Sequence, residues 1–380
     1  MFDLSGVILI DHHAHSLLSE YANLDAIGFR QAFSETRSMR VLEQHIVSAI
    51  PYKDMLGRLA SFLGIHGGEE EILELRSRLT KSDYVNMLFD DASIGCFIID
   101  DGFNSQKMLS IGRFADLSER PVFHCARIES VLEKCLAAAQ SFEQLEQSFQ
   151  KDLECESGTR KVALKTIAAY RGGLEIDVVS RAEAKSDFES AKKTFTEGGA
   201  RLKISRRPLY HYFLLQAFKF AGKKQLPVQV HCGLGDQDAD LRQANPLCFR
   251  SILESEQFAK ADFVFLHCFP YVKEAALLAS VYGNVYVDIS LAPTLASPLT
   301  SAMFFEALSI APSTKVLAAT DGHSVPESYW YAARSIKKGL AEALRLMLES
   351  GYSTQEQLMD CASLVLHGNA RRLYRLEGIK

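Results

Sequence analysis

The feature that most constrains this chain is its succession of eight short runs rich in β-branched and aromatic residues. They lie at 7–11, 95–100, 121–126, 162–168, 227–232, 262–267, 284–289 and 315–320, and most are followed by a helical pattern. The runs are almost continuously apolar, as in Val7-Ile-Leu-Ile10, Cys96-Phe-Ile-Ile99 and Phe263-Val-Phe-Leu266. That pattern belongs to parallel strands covered on both faces, not to a half-solvated sheet, which alternates polar and apolar residues. Parallel neighbours need long crossovers, and helices supply them. Eight such units predict an α/β fold, a closed (β/α)8 TIM barrel, with an open doubly wound sheet as the rival.

The stretch 17–90 separates the first two runs by far more than an ordinary βα connection. It carries helical patterns at Met39–Ala49 and Glu69–Leu79, with breaks at Gly64 and Gly67-Gly68. We expect one barrel over residues 1–380, with 17–90 as a helical subdomain inserted after strand 1. Its expected place is over the strand mouths, where barrel insertions shape substrate pockets; the alternative is a peripheral decoration.

A composition of 47% hydrophobic and 23% charged residues suits a large buried core. The net charge of −5 is spread without long blocks of either sign, so neither nucleic acid nor a membrane surface is an expected partner. Eight cysteines without CxxC spacing fit reduced core residues. The N-terminus shows no basic leader and no apolar run reaches a membrane-spanning length, so the expected location is cytoplasmic. A small molecule is the expected partner, and a homo-oligomer is left open.

The chemistry-bearing residues cluster at the ends of these runs. The first ends in Asp11-His12-His13-Ala14-His15. Residues two apart on a strand share a side, so His13 and His15 can reach one ion, and neutral imidazoles are good zinc ligands. His12 should point away as a satisfied core residue. His231 and His267 close the fifth and sixth runs, and Asp321 follows the eighth. Barrel enzymes keep their reacting groups at that edge, and a purely structural role would require a satisfied polar niche for each residue. Lys165 and Arg171, in and after the fourth run, are candidates for a cationic clamp on a substrate carboxylate, with a structural ion pair as the alternative. Arg127 and Glu129 follow the third run at a spacing of two and can face the mouth or form a rim salt bridge. His323 is a candidate hydrogen-bond donor behind Asp321, whereas His45, His66, His211 and His367 fall in helical or loop stretches and are not expected as ligands.

This arrangement resembles the amidohydrolase superfamily, whose pattern is HxH on strand one, His on strands five and six, and Asp on strand eight. The matching positions are His13 and His15, His231, His267 and Asp321. The likeness is closer to the amidohydrolase-related branch, in particular the N-terminal domain of FluG-type and nodulin-related proteins. It is carried by Ala49-Ile-Pro-Tyr52, Ser82-Asp-Tyr84, Asp100-Asp-Gly102, Ala126-Arg-Ile-Glu129, Ala163-Leu-Lys-Thr-Ile-Ala-Ala-Tyr-Arg171, Asn245-Pro-Leu247 and Thr320-Asp-Gly-His-Ser-Val-Pro-Glu327. In that family a glutamine-synthetase-like domain follows; none follows within these residues, and a coupled ligase activity is not expected.

The resemblance implies a metal-dependent hydrolase acting on an amide or similar C–N bond of a small carboxylate-bearing compound, γ-glutamyl compounds among them. It implies His13, His15, His231 and Asp321 as ligands of a divalent ion, most often Zn2+, and His267 as a ligand or as an acid polarising the substrate carbonyl. Asp321 would also accept the proton of the attacking water. One ion is expected; two is the alternative, in which a carbamylated Lys165 bridges them. Decarboxylase, hydratase or lactonase chemistry, and a metal-binding regulatory barrel without turnover, are the rival readings.

Overall fold

The structure is a computed structural model and describes residues 2–103, 106–156, 158–195, 204–205 and 208–378. Eight strands form one parallel sheet in chain order: β1 (Leu9–Ala14), β2 (Ile94–Asp100), β3 (Val122–Arg127), β4 (Lys161–Thr166), β5 (Val228–Cys232), β6 (Phe263–His267), β7 (Val285–Ile289) and β8 (Val316–Ala318). Each lies on one of the expected runs. The main departures are β1, which continues through the histidines to Ala14, and β8, which stops at Ala318.

The sheet closes between β8 and β1. The Asp321 N–H donates to His13 O at 3.1 Å, and the His15 N–H donates to Gly322 O at 2.8 Å. Further down this seam Asp11 takes the place of a ladder partner, its Oδ1 accepting the Thr320 N–H at 2.8 Å. Burial pushes the Asp11 carboxyl up to about 8, against the opposing pull of its bonds from Thr320.

Strand alternation sorts the apolar residues into two cores. Leu9, Phe97, Leu164, Val230, Phe265 and Val287 pack outward against the helices. Ile10, Cys96, Ile98, Cys125, Ala163, Val264, Leu266 and Leu317 fill the barrel interior, together with Ala370, Leu373, Tyr374 and Leu376 from the C-terminal segment. Asn369 Nδ2 donates to Ser313 O and Val316 O, and Arg160 donates to Arg375 O, so that segment closes the barrel at the N-terminal ends of its strands. Carried toward the other end, the same alternation turns Asp100, Arg127, Lys165, Gln229, His231, Asp288 and Ser290 inward.

Two strands break the alternation. The β1–β2 register shifts between Asp11 and Ala14, and this irregularity lets His12 and His13 both face inward. On β6, Val264 and Leu266 already face inward, so His267 would point out; left-handed φ values of 69° at His267 and 62° at Cys268 re-aim it to the mouth.

Between β1 and β2 the chain forms helices Ala26–Gln31, Ile50–Leu63, Glu69–Arg78 and Lys81–Asp91. The last of these lies within the stretch expected as insertion, yet it packs in the outer ring between helices Ile111–Ser118 and Pro326–Glu349, as the barrel's own first helix. The Glu69–Arg78 helix is anchored by Arg76, whose guanidinium pairs with Glu327, both side chains being almost fully buried. No helix among the described residues is long and apolar enough to cross a membrane.

Candidate metal centre

His13, His267 and Asp321 are buried and offer ligand atoms that all lie within 4.8 Å of one another. Asp321 is the hub: its Oδ1 is 3.2 Å from His13 Nε2 and 3.4 Å from His15 Nε2, and its Oδ2 is 3.6 Å from His267 Nδ1. The His231 ring centroid is 4.5 Å from that of His267. Lys165 Nζ sits 3.2 Å from His13 Nε2.

Burial holds His13, His15, His231 and His267 below the ordinary histidine range, with Lys165 adding to the effect at His13 and His231. The rings are therefore neutral, which is the ligating form. Burial also raises the Asp321 carboxyl, against the pull of His15 and Lys165, and lowers the Lys165 amine. Asp100 goes the other way: burial alone would raise it, but Arg127, His15 and Lys165 outweigh burial and hold it well below the usual carboxylate range. Its backbone O accepts from His15 Nδ1 at 2.9 Å, so Nε2 of His15 carries the lone pair that faces Asp321.

His231 Nε2 and Asp321 Oδ1 are buried and make no hydrogen bond among the described residues. Such groups are costly unless something satisfies them. Two unsatisfied acceptors, neutral imidazoles and one carboxylate within a few ångströms form a donor set that suits a divalent cation such as zinc.

The centre opens into a cavity of about 990 Å3. Arg127 and Lys165 line it, and so do Leu24, Gln31, Glu35 and Arg37 from the segment after β1. Arg37 reaches across the mouth to the loop after β5, pairing with Asp236 and, at 2.8 Å, with Asp238. Burial pushes the Glu35 carboxyl up to about 7, reinforced by Asp321 and Asp236 and opposed by Arg37. The Tyr170 ring, which also lines the cavity, packs at a tilt against that of His231, with centroids 4.5 Å apart.

The remaining expected site residues fall in distinct places. Arg127 is held by Asp100, with Nη2 at 2.6 Å and Nε at 3.1 Å from Oδ2. Arg171 lines the cavity but also donates to Glu133 at 3.1 Å. Glu129 does not reach the mouth, correcting its expected role as a substrate contact. β3 ends at Arg127 and a helix begins at Ile128, so the two-residue alternation stops, and Glu129 turns behind the strands to accept from Thr166, the Ile167 N–H and Tyr210. His12 is a buried, satisfied residue, as expected, although it faces the barrel interior. His323 lines the cavity and bonds to Ser324, not to Asp321. Sequence reasoning missed Asp100, Gln229, Asp288 and Ser290, which alternation from the named histidines and strand ends would have found. Glu35 and Tyr374 gave no such signal.

A closed parallel barrel that gathers four histidines and an aspartate at the C-terminal ends of its strands has the architecture of the amidohydrolase superfamily, whose members are divalent-metal enzymes. The profile of the amidohydrolase family matches residues 160–376, and the chain belongs to that family. It is 26% identical to Protein fluG of Emericella nidulans over 399 residues, an alignment covering 97% of this chain but 46% of that protein. The chain thus spans about half the length of this curated relative. The crystal structure of a proposed metal-dependent hydrolase from Lactobacillus casei is similar, with a TM-score of 0.88 and 29% identity over 99% of this chain and 98% of that one. A uronate isomerase from Thermotoga maritima shares the fold, with a TM-score of 0.67 and 13% identity over 97% of this chain and 95% of that one.

Proposed function

We propose that the chain is a metal-dependent hydrolase that cleaves an amide or similar C–N bond of a small anionic compound. The observation that carries this reading is the unsatisfied pair His231 Nε2 and Asp321 Oδ1 set among neutral histidines at the floor of the cavity. His13, His15, His231, His267 and Asp321 would hold one divalent ion, zinc being the best fit to this donor set. When bound, such an ion polarises water and a substrate carbonyl at neutral pH.

The chain's own residues supply the rest. Asp321, with its carboxyl raised by burial, is placed to accept a proton from the attacking water and return it to the leaving nitrogen. His267 Nδ1 is 2.8 Å from Ser290 Oγ, an engagement that suits a ligand better than the acid the family pattern also allows. Lys165 and Arg127 supply positive charge at the cavity wall, and Arg171 is the candidate clamp for a substrate carboxylate. The mouth-lining part of the expected insertion, from Leu18 to Arg37, is proposed to recognise the substrate.

The test is metal analysis of untagged protein followed by a screen of amides, including γ-glutamyl compounds, esters and lactones, with CO2 release monitored on aromatic and keto acids. Bound metal, amide turnover and loss of both in Asp321→Asn are expected. Metal-free protein, or turnover that survives Asp321→Asn, would reject the reading, and CO2 release would move the enzyme to the decarboxylases.

A further inference from the structure

The cavity over the centre carries opposite charge in two parts. Around the ends of β3 and β4 it is basic. Lys165 Nζ lies 3.2 Å from the neutral His13 Nε2 and makes no ion pair among the described residues. Arg127 gives Nε and Nη2 to Asp100, and its Nη1 has no partner among the described residues. Beside the loop after β5 the cavity is acidic: Glu35, Asp236 and Asp238 line it together with a single guanidinium, that of Arg37. Arg37 is engaged by the two aspartates.

Glu35 is the group this arrangement leaves over. Its carboxyl is largely buried and accepts no hydrogen bond among the described residues. The charges acting on it are Asp321, Asp236 and Arg37, and neither Lys165, Arg127 nor Arg171 is among them. A carboxyl in such a place is costly unless a donor satisfies it, and the packing of its own segment supplies none. A second metal ion does not fit. Among the described residues the one group of His, Cys, Asp or Glu that converges closely enough for an ion is the centre itself. An ammonium group does fit, because it brings both the positive charge and the hydrogen-bond donors that Glu35 lacks.

We propose that Glu35 is a specificity-determining residue that binds an ammonium group of the substrate while the basic part of the cavity takes its carboxylate. The substrate class is then a small zwitterionic amide, with the ammonium directed toward the loop after β5 and the carboxylate toward β3 and β4. This rests on the reading of the cavity as the substrate pocket and narrows what that pocket accepts.

The experiment is calorimetric and needs no turnover. Metal-free and Zn2+-loaded protein are titrated at pH 8, where Glu35, raised to about 7, is ionised. The probes are the ω-amino acids from glycine to 6-aminohexanoate, which scan the distance between the two charges, and the alkanoates of the same carbon number. Wild type is expected to bind at least one ω-amino acid about tenfold more tightly than its alkanoate, the worth of one charge-assisted hydrogen bond. Glu35→Gln should erase that preference without weakening the alkanoate, and Glu35→Lys should transfer it to the α,ω-dicarboxylate of the same length. Glu43→Gln, which removes an exposed acid of the same insertion outside the cavity, should keep the wild-type order. A wild type that prefers no ω-amino acid at any length overturns the proposal. So does a preference that survives Glu35→Gln, or one that Glu43→Gln abolishes equally. Protein that takes up no Zn2+ or turns over no amide, yet keeps the Glu35-dependent preference, would reject the hydrolase reading and uphold the ammonium site.

Discussion

Replacing Glu35 by glutamine isolates the electrostatic cost of the mouth-lining segment. The Glu35 carboxyl lies in the cavity with Asp321 and Asp236 as its acidic neighbours, and burial with their charges raises it from 4.5 to about 7. A raised carboxyl binds protons more tightly in the folded than in the unfolded chain between those two values. Folding stability therefore falls as pH climbs from about 4.5 to about 7, and levels off above that. The full cost of ionising such a group is about 3 kcal/mol, reduced by whatever solvent at the mouth screens. For a chain of this length, that corresponds to a shift of about 2–4 °C in melting temperature.

Metal-free wild type and Glu35→Gln should therefore have similar melting temperatures at pH 5, and the variant should melt higher at pH 8. Zn2+ loading should narrow the gap, because a cation beside Asp321 favours the ionised carboxyl. Thermal melts across this range decide the matter. A gap that is the same at both pH values would refute the placement of Glu35 in the field of Asp321.

Arg76→Leu should destabilise the protein by about 3–5 kcal/mol, because Glu327 would be left as a buried charge without its partner; urea denaturation should show part of the loss recovered when Glu327→Gln is added. Arg171→Met should raise KM for an anionic substrate by about tenfold, or about 1.4 kcal/mol, with little change in bound metal. Equal losses on anionic and neutral substrates, with a lowered melting temperature, would assign Arg171 to its pair with Glu133 alone. Gly235→Ala would place a methyl group 2.1 Å from the Tyr170 hydroxyl and 3.1 Å from His231 Nε2, so Tyr170 must move, and Zn2+ titration should show weaker binding while the melting temperature changes little.

Counting in twos along regular strands was enough to bring Lys165 and His231 to the barrel interior, because side-chain direction there follows from backbone period alone. The same rule failed at Glu129, where a helix starting at Ile128 replaced the extended backbone. It also failed to foresee that His12 and His13 face the same way, since nothing in Asp11-His12-His13 marks the register shift that turns both inward. The bounds of the insertion were blurred for a related reason. Lys81–Asp91 has the apolar spacing of any amphipathic helix, and only its packing against Pro326–Glu349 reveals it as part of the barrel ring. Glu35 reaches the cavity, and Tyr374 the barrel interior beneath it, from segments whose approach is set by tertiary packing, so no local pattern announces them.

The departures from regular backbone bear on function in their own right. His267 and Asp321 hold φ values of 69° and 52°, a region that costs a non-glycine residue on the order of 1–3 kcal/mol. Closing a barrel does not require that cost at these two positions, because β6 could end with His267 pointing outward among the helices. It is at these residues that the side chains are swung onto one point, 3.6 Å apart. The strain is over-determined by the surroundings: Asp288 accepts the His267 N–H at 3.2 Å, and His13 O accepts the Asp321 N–H at 3.1 Å across the closing seam. The seam that shuts the barrel is therefore also what aims Asp321 at the mouth, and on the proposed metal-site reading metal affinity would depend on the integrity of the β1–β8 closure as well as on the cavity walls.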